Sequence, residues 1–373
     1  MSPSYEPSWE ELFANDEPAG APAVLRLGLL RRAGKPLMLV PTNPRLAAVA
    51  LSLYPAQRSR ARLVRVCLRQ IWRLGIPIRC ETIAITVFPS APFPEFLAQA
   101  AAAPRDGFPP FAILCGNPEV SGRRFVILTF APDGTPGAVV KAGLGESAWR
   151  LIDRETGFLK SVPRGTPAIP DLRGVFQGQN VHALALNFVH GISPAADDYE
   201  GVGRLLTSWL SAGKLQQLGN FTMWGALEEA CHSHPLGEEI SGALRRRPVR
   251  PTISHGDFAP WNIKVSAQDG SWIALDWERG ELAGIPGWDW FHYVFQYAVL
   301  VSRLSVTGAA QRVRNLLHHA VFERYASASA IAGVERELFL AYLISYSKTF
   351  GSPAGGADFE ASVTRLAGSW PKD

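Results

Sequence analysis

The chain has 373 residues, of which 47% are hydrophobic and 19% are charged, and its formal net charge is +4. This length exceeds one average domain and suffices for two buried cores. No apolar run reaches the roughly 18–20 residues that cross a bilayer, and the acidic, aromatic start does not resemble a secretory signal, so we expect a cytoplasmic location. The four cysteines lack metal-ligand spacing and are expected to be buried thiols: Cys67, Cys80, Cys115 and Cys231.

Residues 1–104 are expected to form a basic N-terminal extension, whose Ala-rich end predicts a helix stopped by proline. From Pro18 to Cys80 there are twelve Lys or Arg residues and no Asp or Glu. Apolar residues recur between the arginines of residues 57–75, which predicts an amphipathic basic helix; they include Leu63, Val66, Ile71 and Leu74. This helix could pack its apolar side on the following lobe, or bind an anionic membrane surface or an acidic partner. Without a recognised motif or an aromatic stacking array, no nucleic-acid partner is expected.

Residues 105–190 show short β-branched runs bounded by glycine, which predict strands. Their order is strand, strand, strand, helix, strand, strand. From residue 191 onward the pattern is mainly helical, with two helices before residue 255 and three predicted between residues 287 and 350.

Two polar segments carry the chemistry of the helical half. Residues 255–262 read HGDFAPWN, and residues 273–278 read IALDWE. Each acid follows a short apolar run, which predicts acids at strand ends facing a cleft. Phosphoryl transfer to a hydroxyl needs a base near the hydroxyl and oxygen ligands for Mg²⁺, and Asp257, Asn262 and Asp276 can supply them.

These segments resemble the aminoglycoside phosphotransferase and choline kinase family. The residues that carry the resemblance lie in three ordered segments: His255, Gly256, Asp257 and Asn262; Ile273 to Asp276; and Gly284, Pro286 and Asp289. The resemblance implies an α+β, two-lobed protein-kinase-like fold with an antiparallel-sheet N-lobe, a mainly helical C-lobe and ATP between the lobes.

The resemblance also implies roles for single residues. Asp257 would be the catalytic base or the acid that orients the hydroxyl. Asn262 and Asp276 would bind Mg²⁺. His255 and Asp289 would brace the catalytic loop, His255 as an uncharged hydrogen-bonding strut.

A kinase-like N-lobe requires a strand lysine for the ATP phosphates and a helix acid that holds it. Lys141 lies on a predicted strand, and Glu155 lies beside the apolar face of the following helix, with Glu146 as a competing acid. Residues 187–191 would be the hinge, where the backbone of Phe188, Val189 and His190 could meet adenine.

The phosphate-covering loop departs from the protein-kinase pattern, because residues 117–122 read NPEVSG without a Gly-x-Gly-x-x-Gly motif. Ser121 and Gly122 could approach a phosphate through the backbone or form a plain hairpin turn.

The sequence favours an ATP- and Mg²⁺-dependent kinase for a hydroxyl of a small molecule, such as an amino sugar, an amino alcohol or a sugar-like metabolite. The alternative is a kinase-shaped binding or scaffold protein without turnover. A protein kinase is less favoured, because the interval between Asp257 and Asp276 leaves little room for a peptide-docking segment.

The aromatic residues between Trp277 and Tyr293 could receive a cationic amine or belong to the core. The sequence determines neither the substrate, including any antibiotic, nor the oligomeric state.

Overall fold

A computed structural model gives the structure of the protein. It describes residues 9–14, 21–54, 59–76, 78, 80–103, 108–116, 123–350 and 356–370. The chain divides into two compact units. Unit 1 runs to Lys160 and takes in Pro170–Val189, whereas unit 2 comprises Ser161–Ile169 and the chain from His190 onward.

Unit 1 contains one eight-stranded sheet and four α-helices among its described residues. Its elements are β1 (Ala23–Arg32), β2 (Lys35–Pro41), α1 (Pro44–Ala50), α2 (Ser59–Arg73), β3 (Glu81–Val87), α3 (Pro92–Ala100), β4 (Phe111–Cys115), β5 (Arg123–Phe130), β6 (Pro136–Leu144), α4 (Glu146–Ser161), β7 (Leu172–Gln177) and β8 (Val181–Asn187). The strand order is β3-β1-β2-β4-β5-β6-β8-β7, and every neighbouring pair is antiparallel. The last five strands and α4 follow the chain order that the sequence predicts for residues 105–190.

Alternate residues of a strand point to opposite sides, and the central strands of the sheet carry buried residues on both faces. On β5, for example, Phe125 and Ile127 lie in one apolar cluster, whereas Leu128 and Phe130 lie in another. β2 pairs with β4, Leu39 opposite Ile113, and this ladder joins the strands of the N-terminal extension to those of the predicted N-lobe. Residues before 104 and residues 108–187 thus contribute strands to one sheet.

The predicted basic helix is α2, but its apolar side packs only in part. Trp72 is buried and Leu68 packs against the cluster under α1, whereas Leu63 and Leu74 are exposed. The Arg65 guanidinium donates to the carbonyl oxygen of Tyr54 at 2.8 Å. This contact directs Arg65 toward the body of the unit, whereas Leu63 and Leu74 face outward. Cys67, on the same helix, is exposed, which corrects the prediction of a buried thiol.

Unit 2 is mainly helical. Its elements are α5 (Tyr199–Ser208), β9 (Gln216–Gln217), α6 (Trp224–His232), α7 (Gly237–Leu244), β10 (Pro248–Val249), β11 (Thr252–Ser254), β12 (Ile263–Val265), β13 (Trp272–Ala274), β14 (Glu281–Gly284), α8 (Trp288–Leu300), α9 (Val306–Leu317), α10 (Ala320–Ser329), α11 (Glu335–Phe350) and α12 (Gly356–Ser369). The strands form three two-stranded ladders, β9 with β10, β11 with β14 and β12 with β13. The predicted α+β class, with a sheet-based unit and a helical unit, is confirmed.

Four helices, not the predicted three, lie between residues 288 and 350. α9 and α10 are separated by only two residues, and the His319 side chain accepts a hydrogen bond from Val321 N to start α10. No glycine or proline marks this break, so the sequence pattern did not show it.

The aromatic residues after Asp276 belong to the core of unit 2. Trp277, Trp290, Phe291 and Tyr293 are fully buried. For these four residues the structure favours the core alternative, whereas Trp288 is only half-buried. Within the described residues, no helix is both long and apolar enough to span a membrane.

Candidate functional site

The loop after β11 begins with His255, whose two ring nitrogens both have partners. Nε2 lies 2.7 Å from the carbonyl oxygen of Leu275, and Nδ1 lies 3.3 Å from the amide nitrogen of Asp257. Because a carbonyl oxygen only accepts and an amide N–H only donates, these contacts require a neutral ring that carries its proton on Nε2. His255 is fully buried and links the two polar segments of the sequence.

Asp289 holds the same loop from the first turn of α8. One of its carboxylate oxygens accepts from His255 N at 2.7 Å, and the other accepts from Gly256 N at 3.0 Å. Burial raises the pKa of Asp289, and both N–H donors oppose that rise. Gly256 adopts φ +75°, and a Cβ there would lie 2.7 Å from the carbonyl oxygen of Arg279, so only glycine fits this turn.

Asp257 follows this turn with its side chain 25% exposed. Its Oδ1 lies 2.9 Å from Nε2 of His292, and its Oδ2 accepts from Nδ2 of Asn262 at 3.1 Å. The two oxygens are therefore held by donors from two different segments of unit 2. Each carboxylate oxygen can accept two hydrogen bonds, so Asp257 can still accept a hydrogen bond from a further donor.

Asn262 and Asp276 lie at the same end of the β12–β13 hairpin. Ile263 pairs with Ala274, and Leu275 N donates to the carbonyl oxygen of Asn262 at 2.7 Å. Asn262 Nδ2 also donates to the backbone carbonyl oxygen of Asp257 at 2.9 Å. With its nitrogen engaged by Asp257, the amide oxygen Oδ1 is the atom of Asn262 that remains for a cation.

Asp276 has a backbone φ of +74°, in the left-handed region that few residues other than glycine adopt. Such a conformation costs free energy and persists where surrounding structure imposes it. It occurs at one of the two residues that the sequence assigns to metal binding.

His292 and Tyr342 were missed by the sequence analysis. The Tyr342 hydroxyl lies 3.0 Å from Nδ1 of His292, and burial raises the pKa of Tyr342 well above its usual value. An ionised carboxylate only accepts, so Nε2 of His292 carries a proton and donates to Asp257, and the protonated Tyr342 hydroxyl can then donate to Nδ1. His292 lies three residues after Asp289 on α8, a spacing that could have indicated it; Tyr342 lies far away in sequence on α11 and had no such signal.

In unit 1, the predicted pair of Lys141 and Glu155 is in contact. Nζ of Lys141 on β6 lies 2.7 Å from both carboxylate oxygens of Glu155 on α4. The Glu155 side chain is 1% exposed and that of Lys141 16%. The competing acid, Glu146, instead pairs with Arg150 at the exposed start of α4.

The predicted hinge residues Phe188, Val189 and His190 lie where the chain passes from unit 1 to unit 2. Phe188 packs partly against an apolar cluster of unit 1, and His190 is exposed at the first position of unit 2. Ser121 and Gly122 lie outside the described residues. Across the described part of the chain, no cluster of three or more His, Cys, Asp or Glu side chains could hold a metal by itself.

No family model matches the chain, and no curated protein sequence matches it. Among solved structures, it is similar to aminoglycoside phosphotransferase APH(4)-Ia in complex with ADP and hygromycin B, with a TM-score of 0.47 and 12% identity over 75% of this chain and 100% of that chain. It is also similar to aminoglycoside phosphotransferase APH(3'')-Id of Streptomyces rimosus, with a TM-score of 0.42 and 15% identity over 62% of this chain and 91% of that one. For an ethanolamine kinase of Plasmodium vivax, the TM-score is 0.44 and the identity 11% over 69% and 82%. At these scores, none of the similarities establishes an activity.

Proposed function

We propose that this chain is an ATP-dependent phosphotransferase whose acceptor is a hydroxyl of a small molecule. The observation that carries the proposal is the arrangement around Asp257, a partly exposed carboxylate whose oxygens are held by His292 and Asn262. Positioning of this kind is what phosphoryl transfer asks of a protein, because the protein contributes little covalent chemistry. The resemblance of the sequence segments to the aminoglycoside phosphotransferase and choline kinase family supports the same residue as catalytic base or as the acid that orients the hydroxyl.

In the proposed reaction, Asp257 accepts the proton of the substrate hydroxyl while that oxygen attacks the γ-phosphorus of ATP. A new bond from the hydroxyl oxygen to phosphorus forms, and the bond from phosphorus to the bridging oxygen of ADP breaks. His292 acts as a positioning residue, since its N–H fixes one carboxylate oxygen and so sets the direction of the other. His255 and Asp289 brace the loop through its backbone.

The donor set at the end of the β12–β13 hairpin fits Mg²⁺. This ion is usually bound by one or two carboxylates together with substrate phosphates, so a protein site with few acids is suitable. We assign the carboxylate of Asp276 and Oδ1 of Asn262 as its protein ligands. When bound, Mg²⁺ would neutralise charge that develops on the phosphates.

Unit 1 supplies the proposed nucleotide contacts. A lysine ammonium held by a buried carboxylate is the arrangement that kinases use at ATP phosphates, and this supports Lys141 for that role with Glu155 as its anchor. We assign the backbone of Phe188, Val189 and His190 to the adenine.

The test is ATP consumption by the purified full chain against a panel of hydroxylated metabolites, including amino sugars, amino alcohols and sugars. We expect turnover with one substrate class, dependent on Mg²⁺, with Asp257→Asn as the inactive reference. ATP binding without phosphoryl transfer to any acceptor would favour the alternative of a kinase-shaped binding protein. Absence of ATP binding would overturn the proposal.

A further inference from the structure

Exposed aliphatic side chains and arginines combine on the outward side of α2 and at Leu74, the residue that follows the helix. We call this set the α2 surface. Its apolar members, with their exposed fractions, are Leu63 (64%), Val64 (56%), Val66 (50%), Ile71 (36%) and Leu74 (76%). Its arginines are Arg60, Arg62, Arg69 and Arg73. Apolar residues that repeat along one helix are ordinarily buried, so their concentration on an exposed side indicates an interaction surface.

The chain segment that carries this surface has charge of one sign. No Asp or Glu occurs between Pro18 and Cys80, so this whole segment contributes no carboxylate to its own arginines. Partial burial lowers the pKa of Arg69, and repulsion from Arg73 and Arg65 lowers it further. Arginines that repel one another are stabilised by a dense array of negative charge.

The composition of the α2 surface favours a lipid surface over a protein partner. Its exposed apolar residues are all branched aliphatics, without the tryptophans and tyrosines that dominate protein interfaces. A protein groove needs matching pockets, whereas the boundary between lipid headgroups and acyl chains accepts any aliphatic side chain at this depth. Arginines beside such side chains bind lipid phosphates.

We propose that α2 docks the protein on the surface of an anionic membrane, with Leu63 and Leu74 entering the acyl boundary and the neighbouring arginines binding headgroup phosphates. The proposal is independent of the phosphotransferase activity. It concerns where the protein works, and its readout is binding.

The first experiment measures co-sedimentation of the full-length protein with vesicles of phosphatidylcholine alone, or of phosphatidylcholine mixed with phosphatidylglycerol. We expect binding to the anionic vesicles only, and a fall in binding as salt is added. Arg69→Glu with Arg73→Glu should weaken binding at least about tenfold, since each arginine near such a surface contributes on the order of 1 kcal/mol. The matched control, Lys214→Glu with Arg246→Glu, makes the same change in net charge at exposed positions of unit 2 and should leave binding unchanged.

The apolar part of the proposal has its own variants. Leu63→Gln with Leu74→Gln should also weaken vesicle binding about tenfold or more, because each substitution removes an aliphatic side chain that would enter the acyl boundary. Val24→Gln serves as the control, since Val24 is 62% exposed on β1 and outside α2. All three positions are exposed, so the variants should fold.

The position of α2 can be followed directly through Cys67. This thiol is exposed, whereas Cys115 and Cys231 are buried, and Cys80→Ser removes the thiol of intermediate exposure. A polarity-sensitive fluorophore on Cys67 should shift to shorter emission wavelength when anionic vesicles are added.

Three results would overturn the proposal. The first is no binding to anionic vesicles at low salt. The second is vesicle binding that the α2 variants leave unchanged. The third is a fluorophore shift produced by polyglutamate or by a concentration-dependent dimer but not by vesicles, which would assign the α2 surface to an acidic protein or to a second copy of the chain.

Discussion

At the scale of single residues, the chemistry of the site depends on how Asp257 is held. We expect Asp257→Asn to keep the fold and to lower turnover by a factor of about 10² or more, the usual scale for a positioned acid–base group. The amide is nearly isosteric, so the contacts of His292 and Asn262 can persist in part. Steady-state kinetics with the identified substrate measures the effect. Asp269→Asn, an exposed acid in the turn between β12 and β13, is the control, and parental turnover in the Asp257 variant would show that the base is another group.

His292 is expected to act through Asp257 and not on the substrate. His292→Leu removes the N–H that Asp257 accepts and leaves the buried Tyr342 hydroxyl without its acceptor. We expect kcat to fall about tenfold or more with little change in KM for ATP, because a general acid–base group contributes most when it is aligned. His292→Gln, which can place an amide donor in the same region, should recover part of kcat.

The His292→Gln variant distinguishes a positioning role of His292 from a purely structural one. Equal kcat losses in His292→Leu and His292→Gln, accompanied by equal falls in melting temperature, would show that His292 only supports packing.

Asp276 carries the charged ligand of the proposed metal site. Asp276→Ala should abolish the tightening of ATP binding that Mg²⁺ produces, because Asn262 offers only a neutral amide oxygen. Calorimetry of ATP binding with and without Mg²⁺ provides the measurement. Asp269→Ala should behave like the parent protein. If the Asp276 variant kept its full dependence on Mg²⁺, the metal would have to bind elsewhere.

Much of this site could be predicted from sequence because its members cluster in two short segments. His255, Asp257 and Asn262 lie within eight residues, and the structure brings Leu275 against His255. Asp276 follows Leu275 in the second segment. Tyr342 could not be predicted, since it reaches the site only through the packing of α11 on α8. Tyrosine on a largely apolar helix has no spacing that distinguishes a hydrogen-bond donor from a core residue.

At the scale of elements, the pair between β6 and α4 gives a test within unit 1. Glu155→Ala should weaken ATP binding about tenfold or more and lower the melting temperature, because it removes the buried carboxylate that holds the ammonium of Lys141. Glu146→Ala is the matched control on the same helix. Its pair with Arg150 is solvent-exposed, and such pairs contribute little to stability. Titration with nucleotide and thermal melting give both readouts, and equal effects of the two substitutions would contradict the assignment of Glu155.

Strands and helices were predicted correctly where the hydrophobic periodicity and the flanking glycine or proline residues indicated the same element. β4, β5 and β6 are short, largely apolar runs bounded by glycine or proline, and α4 has apolar residues at helical spacing. The prediction failed where packing decided the outcome. Periodicity predicted that α2 has an apolar side. It did not predict which side of the helix faces the body of the unit, because this depends on contacts such as that of Arg65 with Tyr54.

At the scale of the whole molecule, the main departure from sequence expectation is the sheet of unit 1. A strand pairing between β2 and β4 joins segments that are about seventy residues apart, and no local pattern encodes such a pairing. The buried cluster on one face accordingly draws on both parts, because Phe13 packs against Phe111, and Phe93 packs against Phe13 and Phe176. The residues before 104 therefore supply core to the sheet that carries Lys141.

Deletion of residues 1–104 tests this dependence. The truncated chain would lose the partner strand of β4 and the aromatic cover over Phe111, which leaves an unpaired edge and an exposed apolar face. Such edges and faces promote aggregation, so we expect an insoluble product or a clearly lower melting temperature. The full-length Leu63→Gln and Leu74→Gln variant is the control, because it changes only the exposed side of α2 and should melt like the parent. A truncated chain that stayed monomeric, with an unchanged melting temperature and full ATP binding, would mean that unit 1 folds without its first three strands; the basic segment would then be an accessory to the catalytic body.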